Sequence, residues 1–221
     1  MTTRMAEVEA LDDRLTRARA RTIADDETRS PLPIRLIERR RLEIMRELVG
    51  DVRGLELAEI GSGVGRVLRM FREARLTAID ASSAFLDAAR KNLAGYDARF
   101  IQGEVDKLDL PAASFDRIVC AEHTQDPEII LATVARLLRP YGVAVITVPS
   151  DPLILGLEGL VRRAAASRAP RGRVGGDATV QRWTPKVLER VLARHFRVTE
   201  RRSAPFDALP IRACFRCVRR G

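Results

Sequence analysis

The chain has 221 residues, 46% of them apolar and 31% charged, with a net charge of +9, enough to enclose one substantial core and too apolar for a disordered tail. No apolar run approaches the roughly eighteen residues of a membrane span, and the N-terminus is charged, so neither anchor nor signal peptide is expected and the cytoplasm is the expected compartment. Three cysteines, Cys120, Cys214 and Cys217, do not make a disulfide framework.

Residues 1–30 are dense in charge, with Ala6, Leu11, Leu15 and Ala18 at loosely helical spacing, and read as a charged helix or tail. Pro31 and Pro33 punctuate the chain. Ile34, Ile37, Leu42, Ile44, Met45, Leu48 and Val49 then predict an amphipathic helix leading into the core. Leu57-Ala58-Glu59-Ile60 reads as a buried strand carrying one acid; it breaks into the alternate glycines Gly61, Gly63 and Gly65, and Arg66 to Phe71 looks helical. Leu76 to Asp80 is a second short strand with an acid at its end. From Leu55 to Val148 short β-rich runs alternate with helical stretches, which predicts a mainly parallel sheet covered on both faces. Ile129 to Leu138 is a predicted helix stopped by Pro140, and Val143 to Val148 a fifth strand.

The last third changes character. Asp151 to Ala166 is mostly apolar and Ala169 to Gly176 is rich in Gly, Pro and Arg; Thr184 and Pro185 are suited to the cap and first turn of a helix ending near His195. Phe196–Glu200 and Leu209–Val218 are the expected closing strands. Cys214 and Cys217 have the spacing of a metal knuckle, but residues three apart on a strand point to opposite faces, so no metal site is expected.

The turn at residues 61–65 has the physics of a nucleotide site, because glycines let the backbone bend sharply and approach a ligand closely. Asp80 lies about twenty residues past the first glycine, where a βαβ fold places a carboxylate that accepts hydrogen bonds from ribose hydroxyls. A glycine turn kept only for packing and a solvated aspartate are the bland alternatives. A dinucleotide fingerprint needs a third glycine where Arg66 stands, so the pattern is E-x-G-x-G-x-G instead.

This motif resembles that of the class I S-adenosylmethionine-dependent methyltransferases. The likeness extends, in order, through Asp80–Asn92, Phe100–Val105, Ser114–Cys120, Glu122–Glu128 and Leu137–Gly142, about residues 55 to 150. It implies an α/β, doubly wound, Rossmann-like sheet of seven mostly parallel strands with an antiparallel last strand, and helices on both faces. By the same resemblance residues 31–221 form one domain, with a cofactor core over 55–150 and an acceptor-side insertion or lid over 151–183. The implied cofactor is S-adenosylmethionine, leaving S-adenosylhomocysteine as product. Gly61, Ser62, Gly63 and Gly65 would form the floor under its methionine part with Glu59 near the ammonium; Asp80 would hold the ribose; Ala81, Glu104, Val105 and Ala121 would surround the adenosine side. His123 is a candidate general base, suited by its ordinary pKa, with Glu122 beside it. The chain departs from the family in a short link from Cys120 to Glu122 and in Tyr141, which stands where glycine is common and leaves Gly142 to supply the turn.

Charge bears on the acceptor. Residues 151–221 hold 16 Lys and Arg against 6 Asp and Glu, leaving 23 against 24 in the rest, so the whole positive excess lies in the C-terminal third. That suits an anionic acceptor or surface, although arginine so outnumbers lysine that a compositional bias explains it as well. Aromatics at 5% argue against a stacking RNA platform. Arg39-Arg40-Arg41 reads as a solvated helix face or a phosphate contact, and His195 as a partner for the dipole of its own helix. The expectation is a methyltransferase for a small molecule, anionic or lipid-like. An RNA or protein methyltransferase, with nucleic acid as partner, and a non-catalytic S-adenosylmethionine-binding partner protein remain open.

Overall fold

The computed structural model describes residues 31–121, 126–149, 185–207 and 209–220. The expected N-terminal tail, the 151–183 segment, and both Glu122 and His123 lie outside them.

Helix α1, Leu32–Val49, starts after Pro31 with Pro33 in its first turn and stops at Gly50, whose φ of 75° takes the chain out of the helix while its N–H donates to the Arg46 carbonyl. Strand β1, Glu56–Ile60, leads through the glycine turn to a short 3-10 turn, Leu68–Met70, and β2, Arg75–Asp80. Helix α2, Ser83–Asn92, is capped by Ser82, whose Oγ accepts from the Phe85 N–H at 3.3 Å. Strands β3, Ala98–Gln102, and β4, Phe115–Ala121, follow. Helix α3, Pro127–Leu137, is capped by Asp126, whose carboxylate accepts from the Glu128 N–H at 2.8 Å. After β5, Leu138–Pro149, helix α4, Pro185–His195, precedes β6, Phe196–Phe206, and β7, Leu209–Arg219.

These strands form one seven-stranded sheet in the order β3-β2-β1-β4-β5-β7-β6. The first five are parallel; β7 runs antiparallel between β5 and β6. The direction of winding reverses at β1, so the C-terminal ends of β1 and β4 border the crevice where ligands bind in such sheets.

Strand alternation divides the core. Ala58, Ile60, Ile118, Ile146 and Phe215 face α3 and α4, which contribute Ile130, Val134, Leu188 and Leu192. Leu57, Leu76, Val119 and Val145 face α1 and α2, which contribute Ile44, Met45, Leu48 and Leu86. Cys217 belongs to the first cluster and Cys214 to the second, so the two thiols do point to opposite faces. Among the described residues no group of His, Cys, Asp or Glu is arranged to hold a metal, and no helix is long and apolar enough to cross a membrane.

Two local expectations are corrected. Arg66 to Phe71 is not an α-helix. Gly65, with φ 75°, delays any helical start until Arg66, and by Phe71 the backbone has left the helical region to reach β2. The remaining stretch closes i→i+3 bonds, Met70 N–H to the Val67 carbonyl and Phe71 N–H to that of Leu68, because it is too short to repay the nucleation of an α-helix. The turn before β5's central residues is likewise not supplied by Gly142. Tyr141 itself takes φ 62°, with its ring 90% exposed. Gly142 serves close approach: a Cβ there would lie 2.8 Å from Leu138 Cγ and 2.9 Å from the Arg139 carbonyl oxygen.

Candidate functional site

The ends of the first three strands are laced together by main chain. Gly61 and Ser62 N–H groups both donate to the Ile79 carbonyl, at 2.8 and 3.0 Å, and Gly103 N–H donates to the Asp80 carbonyl at 3.0 Å. Asp80 completes the lacing. Its Oδ2 accepts from Gly63 N–H at 2.8 Å and its Oδ1 from Ser82 N–H at 2.9 Å. The glycine loop and the acid seventeen residues later, linked only by spacing in the sequence, are thus in direct contact. An ionised carboxylate offers about four lone-pair sites, so two remain for hydroxyl donors. Gly63, with φ 51°, faces open space where a Cβ would project, whereas a Cβ on Gly65 would lie 3.1 Å from Leu93 Cδ1 and 3.4 Å from Ala89 Cβ. The third glycine therefore seats the loop on α2, and the second leaves room above it.

Glu59 is the unusual group of the site. It lies on β1 on the same face as Leu57, under the 3-10 turn, and is only 3% exposed. Burial pushes its pKa up to about 8; the Arg41 charge and a hydrogen bond from the Leu68 N–H draw it down, and the Asp80 charge raises it further. Its Oε2 and the Ser62 Oγ are buried with no hydrogen-bond partner among the described residues. Orphaned buried polar atoms are costly and mark places where a ligand or water completes the bonding. A carboxyl and a hydroxyl beside a glycine open to space, next to a carboxylate with spare lone pairs, fit a ligand bearing an ammonium group and vicinal hydroxyls, as the expected cofactor does.

The remaining expected contacts are placed as follows. Ala81 is exposed at the end of β2, and Val105 is buried in the α3-side core. The Glu104 carboxylate pairs with Lys107 Nζ at 2.8 Å on the surface. Ala121 is half-buried at the end of β4, next to Cys120, whose thiol is pushed up to about 12 by burial and by the Glu59 charge.

The sequence reading missed a buried ionic cluster beside Glu59. Arg41 is not on a solvated face: it is 7% exposed, and its Nε and Nη2 both donate to Glu38 Oε2, at 3.1 and 2.8 Å, while Nη1 reaches Thr147 Oγ1 on β5 at 3.4 Å. Arg66 Nη1, from the glycine turn, lies 3.7 Å from Glu38 Oε2, and the buried Arg212 Nε of β7 lies 3.9 Å from Oε1. Arg39 and Arg40 do lie on the exposed face and pair with Glu43. The available signal was register. Ile34, Arg41, Met45 and Leu48 fall on one helical stripe, which puts a charge on the apolar face with a carboxylate three residues earlier. His195 stands in the last turn of α4, where the dipole reading put it; its Nε2 also lies 3.3 Å from Glu128 Oε1, and Arg194 holds the other carboxylate oxygen at 2.9 Å, joining the end of α4 to the start of α3.

Residues 58–146 match the methyltransferase domain family. The fatty-acid O-methyltransferase of Mycolicibacterium smegmatis is 34% identical over 101 residues, which are 42% of this chain and 36% of that protein. An uncharacterized methyltransferase of Bacillus subtilis is 29% identical over 106 residues, 45% of this chain and 59% of the other. The chain thus spans between about a third and three fifths of these curated relatives. The fold matches the Burkholderia thailandensis 1,6-didemethyltoxoflavin-N1-methyltransferase, solved with 1,6-didemethyltoxoflavin and S-adenosylhomocysteine bound, with a TM-score of 0.62 at 21% identity, covering 100% of this chain and 91% of that one.

Proposed function

We propose that this protein, whose residues 58–146 match the methyltransferase domain family, transfers a methyl group from S-adenosylmethionine to a small-molecule acceptor, anionic or lipid-like. The observation that carries the reading is the bond from Gly63 N–H to Asp80, which joins the glycine loop to the end of β2 around two orphaned buried oxygens. In this reading the free lone pairs of Asp80 take the ribose hydroxyls and Glu59 lies by the methionine ammonium. Gly61, Ser62 and Gly63 form the floor, and Ala81 and Val105 flank the adenine. Glu104 addresses its edge from the surface ion pair with Lys107, and Ala121 borders the crevice from β4.

When bound, S-adenosylmethionine supplies a methyl group already activated on a sulfonium, so no covalent protein intermediate is required. The chain's work is to hold the acceptor in line and exclude water, which is how proximity lowers the barrier. The buried Cys120 thiol, held up to about 12, is not a nucleophile at neutral pH. His123, with Glu122, is the proposed base for an acceptor that must lose a proton, and residues 151–183 are the proposed acceptor-side cover of a single domain spanning 31–221.

Small acceptors are supported by what the fatty-acid O-methyltransferase and the toxoflavin N1-methyltransferase act on. An anionic acceptor is supported by the charge balance of residues 151–221, 16 Lys and Arg against 6 Asp and Glu. Calorimetry with S-adenosylmethionine, S-adenosylhomocysteine and NAD tests the cofactor; micromolar binding of the first two and none of NAD is expected, and absence of binding by both overturns the reading. Transfer of labelled methyl to long-chain fatty acids and quinols, compared with total RNA, tests the acceptor. Preference for RNA would overturn the small-molecule assignment.

A further inference from the structure

The proposed cofactor reading explains why an acid stands at Glu59, but not what state it is in before a ligand arrives. A carboxylate removed from water without hydrogen bonds to both oxygens costs several kcal/mol, and such a group commonly takes up a proton instead. Glu59 has that environment: one hydrogen bond from the Leu68 N–H, a second oxygen with no partner among the described residues, and 3% exposure. Charged and titratable groups face it from three elements. Arg41 on α1 attracts its negative form but is held by Glu38 and Thr147; Asp80 on β2 repels it; Cys120 on β4 is a neutral thiol, pushed up to about 12 by burial and by the Glu59 charge.

Resting on the cofactor reading, which sets Glu59 beside the ammonium, we propose that cofactor binding is coupled to proton release: the Glu59 carboxyl is protonated in the free protein and gives that proton to solvent when the ammonium binds. The balance is simple. Glu59–COOH and a ligand carrying –NH3+ become a carboxylate–ammonium pair and one H+ taken up by buffer, with no other bond made or broken. Because the neutral carboxyl offers little to an adenosine fragment, the site discriminates by coupling ionisation to the one ligand group that stabilises it. The raised pKa near 8 supports this geometry, since a group with that value is mostly protonated at pH 7.

The test is calorimetry of S-adenosylhomocysteine with the full chain at pH 7 in phosphate and in Tris, buffers with very different ionisation heats. The observed heat should vary with buffer in proportion to roughly one proton released per ligand, and affinity should rise by about tenfold per pH unit between pH 6 and 7.5 before levelling near 8. 5′-Methylthioadenosine, which lacks the amino-acid tail, should release none. Glu59→Gln keeps the shape of the uncharged carboxyl and should bind S-adenosylhomocysteine more weakly, with no proton release and a flat pH profile. Binding of S-adenosylhomocysteine by the wild-type protein without proton release overturns the proposal, and so does equal release with 5′-methylthioadenosine or in Glu59→Gln. No binding of S-adenosylhomocysteine at all instead removes the cofactor reading beneath it. The wild-type comparison of the two ligands stands alone if the variant does not fold.

Discussion

Replacing Asp80 separates two jobs, holding the glycine loop and, in the proposed reading, binding the ribose. Asp80→Ala removes the acceptors of two charge-assisted bonds, from Gly63 N–H at 2.8 Å and Ser82 N–H at 2.9 Å. Hydrogen bonds to charged groups contribute about 1.5–3 kcal/mol each. Because both donors are half-exposed or near solvent, water recovers part of that, and the expected loss of folding stability is about 2–4 kcal/mol, read from urea unfolding. The ribose contribution is an additional loss of roughly 1.5–3 kcal/mol in cofactor binding, about a 10- to 150-fold rise in the Kd of S-adenosylhomocysteine by calorimetry. Asp80→Asn keeps one acceptor oxygen but turns an NH2 toward the other donor, so it should fall between wild type and Asp80→Ala in stability while still losing bidentate ribose binding. A folded Asp80→Ala protein with unchanged affinity refutes the ribose role. Unchanged stability refutes the idea that this carboxylate holds the glycine loop.

Tyr141→Gly should raise thermal stability by up to about 1 kcal/mol, since a left-handed non-glycine residue costs about 1–2 kcal/mol and the greater freedom of unfolded glycine cancels part of the relief. Gly142→Ala should lower stability by about 1–3 kcal/mol, because the new methyl meets the Arg139 carbonyl oxygen at 2.9 Å and main chain cannot step aside. The raised pKa of Glu59 makes the ligand-free protein lose stability with rising pH: the folded state holds a proton that the unfolded chain gives up near 4.5, so this contribution is complete below that value and is lost as pH climbs to about 8. Urea unfolding at pH 6 and pH 8 should therefore show Glu59→Gln gaining on wild type by up to about 2 kcal/mol, and parallel curves would count against the raised value.

The meeting of the glycine loop with Asp80 was legible because it is local. Three alternate glycines, an acid two residues before the first of them and an acid at the next strand end need only the strand–turn–strand unit around them, and the alternation of short apolar runs was enough to imply the parallel sheet. What escaped depended on contacts distant in sequence or on backbone angles. The Arg41 pairings join α1 to the glycine turn, β5 and β7, and no neighbour in the sequence announces that a helical arginine will be covered. The loss of the helix after Gly65 follows from a positive φ at the last glycine together with the short distance to β2, each unremarkable by itself. At Tyr141 the composition suggested that the neighbouring glycine would bend, whereas the crowding of Leu138 and Arg139 requires that glycine for space and passes the bend to tyrosine.

The positive C-terminal third can now be divided by what its described arginines touch. Arg216 Nε donates to the Leu48 carbonyl and Arg117 of β4 to that of Val49, so two guanidinium groups satisfy the last carbonyls of α1, where a cation is also favoured by the helix dipole. Arg219 binds the Leu138 carbonyl at the end of α3, Arg220 that of Phe196, and Arg201 and Arg202 pair with Glu189 and Glu47 on the flanking helices. Much of the charge on β6 and β7 therefore fastens helices to the sheet, and exposed pairs of this kind project little field beyond a Debye length. A polyanionic acceptor needs many exposed cations at once, whereas a small anion needs only one or two. The two cases differ in salt response. Each phosphate neutralised makes binding fall steeply with salt, but a single carboxylate makes at most one such contact, so acceptor KM for the proposed small-molecule reaction should change by less than about threefold between 50 and 200 mM salt.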